Sequence, residues 1–196
     1  MTPSAVFNTT WGVWALSWIA AAFWSAAAVE RRSWRAVWFP YALIILSIIF
    51  PAAWHQAGIH TSRWWDVGRS GAYVLAVATI PGFLFAWWAR LHLGPLWSVA
   101  IVRKQDHRVV DSGPYAVVRH PIYTGILWAA LVTDIAAASL PALVSFAALL
   151  GGFWLKARAE ERFLGQQVGQ EAYAAYVGRV PMLVPSPRIA PWNTSC

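Results

Sequence analysis

Three scarcities frame the chain. Its 196 residues hold one cysteine, Cys196 at the very end, which excludes an intrachain disulfide and any cysteine-based metal cluster. Acidic residues are few, eight against fifteen lysines and arginines, and charged residues of both signs make up only 12% of the chain. A sequence that is 59% hydrophobic, with 15 tryptophans and a mean hydropathy of +0.48, has too little polar surface to cover a soluble globule. It reads as a membrane protein. The pI near 10.2 suits either nucleic acid or anionic lipid, and the apolar bulk favours lipid over nucleic acid. Internal repeats, low-complexity runs and a G-x-G-x-x-G fingerprint after a strand are all missing, the last arguing against a soluble dinucleotide-type fold.

The expected fold class is an all-α integral membrane protein with about five transmembrane helices. Spans of about 20 apolar residues, enough to cross ~30 Å of hydrocarbon, fall at Trp11 to Val29, Ala36 to Trp54, Gly71 to Ala89, Ile122 to Leu140 and Pro141 to Leu155. The first is expected to stay in the membrane, because "ERRSWR" after it reads as a stop-transfer flank. "PG" at Pro81 and Gly82 predicts a kink or interruption. Pro141 suits a first helical turn, so the last two segments should form a tight antiparallel hairpin. All lysines and arginines except Arg63 and Arg69 fall in the first connection, the third connection and the tail. The positive-inside rule then puts the amino terminus outside and the carboxyl terminus in the cytoplasm. Trp34, Trp54, Trp64, Trp65, Trp87 and Trp88 fit an interfacial belt. The chain divides into three amino-terminal helices, residues 1–89, and a carboxyl-terminal part, residues 90–196, holding a cytoplasmic loop, the hairpin 122–155 and a cytoplasmic tail, within one structural domain. This part carries the polar clusters.

The first cluster is "DSGPYAVVRHPIYTG", residues 111–125. Pro121 at a first helical position holds His120 out of helical backbone space, so His120 becomes the cap residue at a helix start that favours negative charge. Gly113 and Pro114 form a turn that delivers Tyr115 to the same place, Tyr123 follows one turn into the helix, and His107 to Val110 reads as a short extended segment upstream. The second cluster is "KARAEERFL", residues 156–164. Lys156 with Glu160 and Arg158 with Glu161 are spaced to share helix faces, which is equally the pattern of a solvated helix exit. The hairpin makes the two clusters neighbours.

Taken together, "HRVVDSGPYAVVRHPIYTG" and, about 35 residues later, "EERFLGQQVGQEAYAAYVGRVPMLVP" closely resemble the carboxyl-terminal half of the isoprenylcysteine carboxyl methyltransferase family, integral membrane enzymes that use S-adenosylmethionine. The resemblance covers roughly residues 90–185. It implies a cofactor pocket lined by His107, Arg108, Val109, Val110, Tyr115, His120, Pro121, Ile122, Tyr123, Glu160 and Glu161. In the eukaryotic enzymes a substrate-contacting arginine lies four positions before the cofactor glutamate; this chain has Lys156 there and Arg158 two positions later, so both are candidates for the catalytic contact. An upstream glutamine of the family falls near Ala100 and is not carried over. The implied activity is methyl transfer to a lipophilic or prenylated acceptor, most simply a carboxylate. A phospholipid amine or a small thiol is the alternative acceptor, and a sterol-type reductase using NADPH the alternative of another class. Tyr115 and Tyr123 supply aromatic walls for a sulfonium, Glu160 an anion for the amino group, and His120 with the helix start a place for the carboxylate.

Elsewhere the readings are plainer. Asp134, towards the outer end of the fourth segment, reads as structural; His55 and His60 gather no further ligands, so no metal is expected; His92 stands at the cytoplasmic interface or its cleft. Glu171 to Val177 reads as a helix closing over the pocket, with Tyr173 and Tyr176 packing. Cys196 is too late for a prenylation box.

Overall fold

The computed structural model describes residues 1–23, 30–31, 38–59, 61–94, 102–103, 110–168 and 170–186. Among the described residues there are seven helices: α1 (Pro3–Ala22), α2 (Trp38–Gln56), α3 (Gly68–Leu93), α4 (Pro114–Val117), α5 (Pro121–Ala137), α6 (Leu140–Val168) and α7 (Gln170–Arg179). A two-residue antiparallel ladder pairs β1 (Glu30–Arg31) with β2 (Val102–Arg103). It ties Glu30 and Arg31 of the first connection to Val102 and Arg103 of the third.

The protein is an integral membrane protein. Among the described residues, α2, α3 and α6 are long and apolar enough to cross a bilayer, and α5 is a shorter apolar helix. Large apolar side chains such as Leu16, Ile48, Val74 and Leu84 are exposed along the helices, as lipid-facing surfaces require.

The element boundaries have local causes. Helix α1 starts eight residues before the expected first segment, because Pro3 sits at its first turn and Thr2 Oγ1 accepts the Ala5 N–H at 3.2 Å. That cap ends the run of free N–H groups at a helix start. Helix α3 runs through Pro81 without interruption. Proline removes the i to i−4 bond to the Val77 carbonyl, and on the next residue Trp128 Nε1 donates to the Ala78 carbonyl at 2.8 Å, tying α5 to α3 beside the proline. Helix α5 stops at Ala137, three residues early. Ala138 takes the left-handed conformation, φ 49° and ψ 43°, and its N–H closes on the Asp134 carbonyl, so the turn to α6 is two residues long. The hairpin is as tight as Pro141 suggested, and α6 continues past the expected span end at Leu155 through the second polar cluster to Val168. Trp64 N–H and Trp65 Nε1 donate to the carbonyls of Ala138 and Ile135, covering that turn.

Two packing seams fix the helices. Helix α3 crosses α5 at Gly82 and Gly125, where a Cβ on Gly82 would lie 2.5 Å from the Gly125 carbonyl oxygen. Ala86, Ala89 and Ala129 continue the contact, each fully buried. Small residues let backbones approach in lipid, where association rests on van der Waals contact. Helix α2 packs on α6, with Gly152 against Pro40 and Ile44. An aromatic seam then holds α1 on α3: Trp14 stacks on Phe83 with centroids 5.3 Å apart, Trp18 meets Trp87 edge-on at 5.6 Å, and Trp87 Nε1 donates to Ser17 Oγ. Trp87 therefore serves the interior rather than the interfacial belt. Arg90, fully buried, joins the ends of α1 and α3 by donating to the Ala21 and Gly94 carbonyls.

Gly125→Val should push α5 off α3. The expected loss is about 1–3 kcal/mol, the usual range for overpacking, read as a lower thermal midpoint in detergent. Gly12→Ala, at a site with nothing within 4 Å, should leave the midpoint in place.

Candidate functional site

The two polar clusters meet where α5 begins and α6 leaves its apolar stretch. Pro121 opens α5 with His120 as its cap residue, so Arg119 and His120 are held just outside the helix. Their placement is completed from the tail. Arg119 N–H donates to the Pro181 carbonyl at 2.8 Å and His120 N–H to that of Met182 at 3.1 Å. Thr124 Oγ1 donates to the Leu183 carbonyl at 2.6 Å, and Arg119 Nη1 to the carbonyls of Val177 and Val180. Residues 177–183 form a strap across the start of α5.

Across from them, α6 presents Lys156, Glu160 and Glu161. Lys156 Nζ donates to Glu160 Oε1 at 2.7 Å, the i to i+4 pair read from spacing. Tyr123 OH donates to the same oxygen at 2.6 Å, and Lys156 Nζ also donates to Tyr123 OH. Glu161 Oε1 accepts from Arg119 Nε at 2.7 Å and lies 3.1 Å from His120 Nε2, while His120 Nδ1 stands 3.5 Å from Glu160 Oε2. One imidazole thus bridges two carboxylates. Stacking orients it: His120 lies parallel to Tyr123 at 5.4 Å, and Tyr123 parallel to Phe153 at 4.6 Å. Lys156 Nζ is 4.8 Å from the Tyr123 ring centroid and 5.6 Å from that of Tyr41, placing a buried cation between two aromatic faces.

The charges nearly balance. Two glutamates oppose one lysine and one arginine, so a protonated His120 leaves a net of about +1. Taking ions out of water is expensive and is offset here only because each charge has a close partner. Burial by itself lowers the His120 pKa, but the hydrogen bonds and negative charges of Glu160 and Glu161 outweigh it, and the net direction is up.

A second wall stands beside this centre. Tyr115, Ile122 and Ala89 form a buried group with Val110 and Tyr123 against it. His92 stacks on Tyr115 with centroids 6.3 Å apart, and His92 Nε2 is 3.0 Å from Ser112 Oγ. Gly113, at φ 58°, leaves room for that ring, since a Cβ there would lie 2.8 Å from His92 Cε1. Burial raises the Tyr115 pKa, and the charge of Glu160 adds to the rise. Tyr176 OH donates to the Tyr115 carbonyl at 2.8 Å, and Tyr173 and Tyr176 pack with Val180, Leu164 and Val177, so α7 closes over this side with its tyrosines in packing roles.

Of the residues singled out from sequence, Val110, Tyr115, His120, Pro121, Ile122, Tyr123, Lys156, Glu160 and Glu161 converge here. His107, Arg108 and Val109 lie outside the described residues, as do His60, Ala100 and Cys196. Arg158 is not brought in. It is exposed, with its guanidinium 4.5 Å over the Trp154 ring, and the partner expected for it, Glu161, is taken by Arg119 and His120. Arg119, Tyr41, Phe153 and the carbonyl strap escaped the sequence reading. Arg119 stood in plain sight within Arg-His-Pro, while the strap's backbone acceptors leave no side-chain signal.

Part of the chain that builds this geometry resembles known proteins. The sequence model of the isoprenylcysteine carboxyl methyltransferase (ICMT) family matches residues 74–166. Those residues are similar to that family. Over 88 residues the chain is 32% identical to protein-S-isoprenylcysteine O-methyltransferase B of Arabidopsis thaliana. That match spans 44% of this chain and 44% of the relative, so the two are aligned over less than half of either. The family segment begins inside α3, earlier than residue 90, which brings the Gly82 crossing into it. It ends within α6, before α7 and the strap. Nothing in either likeness points to a sterol-type reductase, and that alternative is set aside.

His120 makes stability depend on pH. A group whose folded pKa is raised contributes fully below its unfolded value, about 6.5 for imidazole, and loses that contribution as pH rises through the folded value. The thermal midpoint in detergent is expected to fall as pH is raised from about 6.5 upward, and His120→Gln should flatten that dependence over the same interval.

Proposed function

We propose that the chain is a membrane methyltransferase that moves the methyl group of S-adenosylmethionine to the carboxylate of a lipophilic acceptor, as in protein-S-isoprenylcysteine O-methylation, with its active site on the cytoplasmic face. The observation that carries this reading is the convergence, within the ICMT segment, of two helix-borne carboxylates, a buried lysine and a stack of aromatic faces at one end of a membrane hairpin. The surplus of arginine and lysine in the connections at that end supports the cytoplasmic side.

The residues fit the cofactor's chemistry. When bound, S-adenosylmethionine supplies a methyl group on a positively charged sulfonium. Glu160 and Glu161 offer negative charge for the cationic portions, and Tyr115 and Tyr123 offer aromatic faces suited to cation-π contact and stacking. The start of α5 provides backbone N–H groups for a carboxylate. His120 ties the two glutamates together and fixes their orientation, with the strap holding it from behind. Arg119 does the same for Glu161.

An acceptor carboxylate is already ionised at neutral pH, so transfer requires alignment rather than a general base. Lys156 is the cation placed to hold that anion. It emerges from α6 beside Glu160, is screened from water, and is rigidly seated by Tyr41 and Tyr123. The apolar flanks of α2, α5 and α6 let a greasy acceptor reach the site from the bilayer. An acceptor bearing an isoprenyl chain on a cysteine carboxylate meets both demands.

The test is calorimetric titration of S-adenosylmethionine into the detergent-purified protein, followed by methyl transfer to a farnesylated cysteine derivative. Wild type should bind at micromolar concentration, an affinity of about −8 kcal/mol. Glu160→Gln should weaken binding about tenfold or more, the effect of losing ~1.4 kcal/mol. Lys156→Gln should lose transfer far more than cofactor binding, with partial recovery in Lys156→Arg. Failure of folded wild type to bind S-adenosylmethionine overturns the proposal.

A further inference from the structure

The outer side of α6 carries a stripe that the site does not use. Leu143, Ala147, Leu150, Trp154, Arg158 and Arg162 are all exposed and follow one another at three- or four-residue spacing, which places them on one face of the helix. The other faces of α6 are taken: Gly152, Ala159 and Phe163 pack towards α2, and Leu149 and Phe153 towards Leu127 and Ala130 of α5. The stripe changes character along its length. It begins apolar, passes through one amphipathic ring and ends in two cations.

That order matches a leaflet in cross-section, from acyl chains through the interface to phosphates. The two guanidiniums are also pinned. Arg158 sits over Trp154, its Cζ 4.5 Å from the ring centroid. Arg162 Nε donates to the Arg158 carbonyl at 3.3 Å, holding that side chain along the helix one turn, about 6 Å, further on. Neither has a carboxylate within ion-pair distance among the described residues, whereas Arg119 and Arg179 do, to Glu161 and Asp111. An arginine fork matches phosphate geometry with two parallel hydrogen bonds.

We propose that Arg158 and Arg162, seated on Trp154, form a binding strip for the phosphate headgroup of an anionic phospholipid in the leaflet that surrounds this end of α6. The strip fixes the depth of α6 in the membrane, and with it the height of Lys156 and Glu160 on the opposite face. Arg158 on this account is a lipid contact and has no part in methyl transfer. The inference stands independently of the proposed activity.

Lipid selectivity measured by electron paramagnetic resonance tests it. The full chain is placed in phosphatidylcholine nanodiscs with spin-labelled phosphatidylglycerol or spin-labelled phosphatidylcholine, and the motionally restricted fraction gives the relative association constant. Wild type should prefer phosphatidylglycerol. The double variant Arg158→Gln/Arg162→Gln should lose about fivefold of that preference per arginine, the equivalent of ~1 kcal/mol for a basic side chain at an anionic surface. Arg158→Lys/Arg162→Lys should retain most of it, and Arg179→Gln, whose charge is answered by Asp111, should match wild type. Both arginines are exposed, so the glutamine variant should keep the wild-type thermal midpoint; single Arg162→Gln serves where it does not. An unchanged preference in the glutamine variants overturns the proposal and turns the stripe towards a protein partner.

Discussion

Two adjacent carboxylates on one turn of a helix, taken out of water, set the terms for the rest of the structure. Glu160 and Glu161 point to different partners, yet both lie against His120, so neither can be paired without the other being placed. Lys156 and Tyr123 serve Glu160 from within the hairpin. Arg119 serves Glu161, but Arg119 belongs to a short segment between α4 and α5 with no regular structure to hold it. The strap of carbonyls from Val177 to Leu183 supplies that support. A site that looks like a property of α6 is therefore assembled from three stretches far apart in sequence.

The apolar packing exists in the service of that geometry. For His120 to reach both glutamates, α5 must run beside α6 with a short turn, and the left-handed Ala138 makes the turn two residues long. For α5 to stay there, something must hold its other side, and the glycine crossing with α3 does so at backbone contact. In lipid there is little hydrophobic gain in pressing two apolar helices together. Close approach at Gly82 and Gly125, and indole N–H groups finding acceptors at Ser17, Ala78 and Thr133, take the place of the hydrophobic effect. The same small residues that fix α3 against α5 lie within the ICMT segment, as the polar cluster does, whereas α1 and α2 lie outside it.

Much of this was legible in the sequence, for physical reasons. Proline at the first helical position announced both the start of α5 and the turn into α6, because its ring suits only that place in a helix. The four-residue spacing of Lys156 and Glu160 announced their pair. What stayed hidden was whatever backbone atoms do. The carbonyl strap has no side-chain signature, and neither does the indole of Trp128 reaching across to the Ala78 carbonyl beside Pro81. The continuation of α6 past Leu155 was legible from the helical spacing of its charges, but not that Lys156, Glu160 and Glu161 turn inward and extend the interior along the helix.

The contrast between Lys156 and Arg158 shows where sequence reading runs out. Both precede the glutamates, both are cations, and family likeness at the level of motifs allowed either to meet the acceptor. Two residues along an α-helix rotate a side chain by about 200°, so at most one of them can share a face with Glu160. Which one is decided elsewhere: Gly152 admits α2 to close contact, Tyr41 of α2 packs on Ala159 and Phe163, and that face of α6 is thereby the inner one. Lys156 lies on it, one turn from Gly152 and one turn from Glu160, and is enclosed. Arg158 is turned outward onto Trp154. The direction of each cation thus follows from a glycine that touches neither of them, because the rotation of a helix in a packed bundle is constrained by its closest contact and every charge along the helix inherits its direction from it.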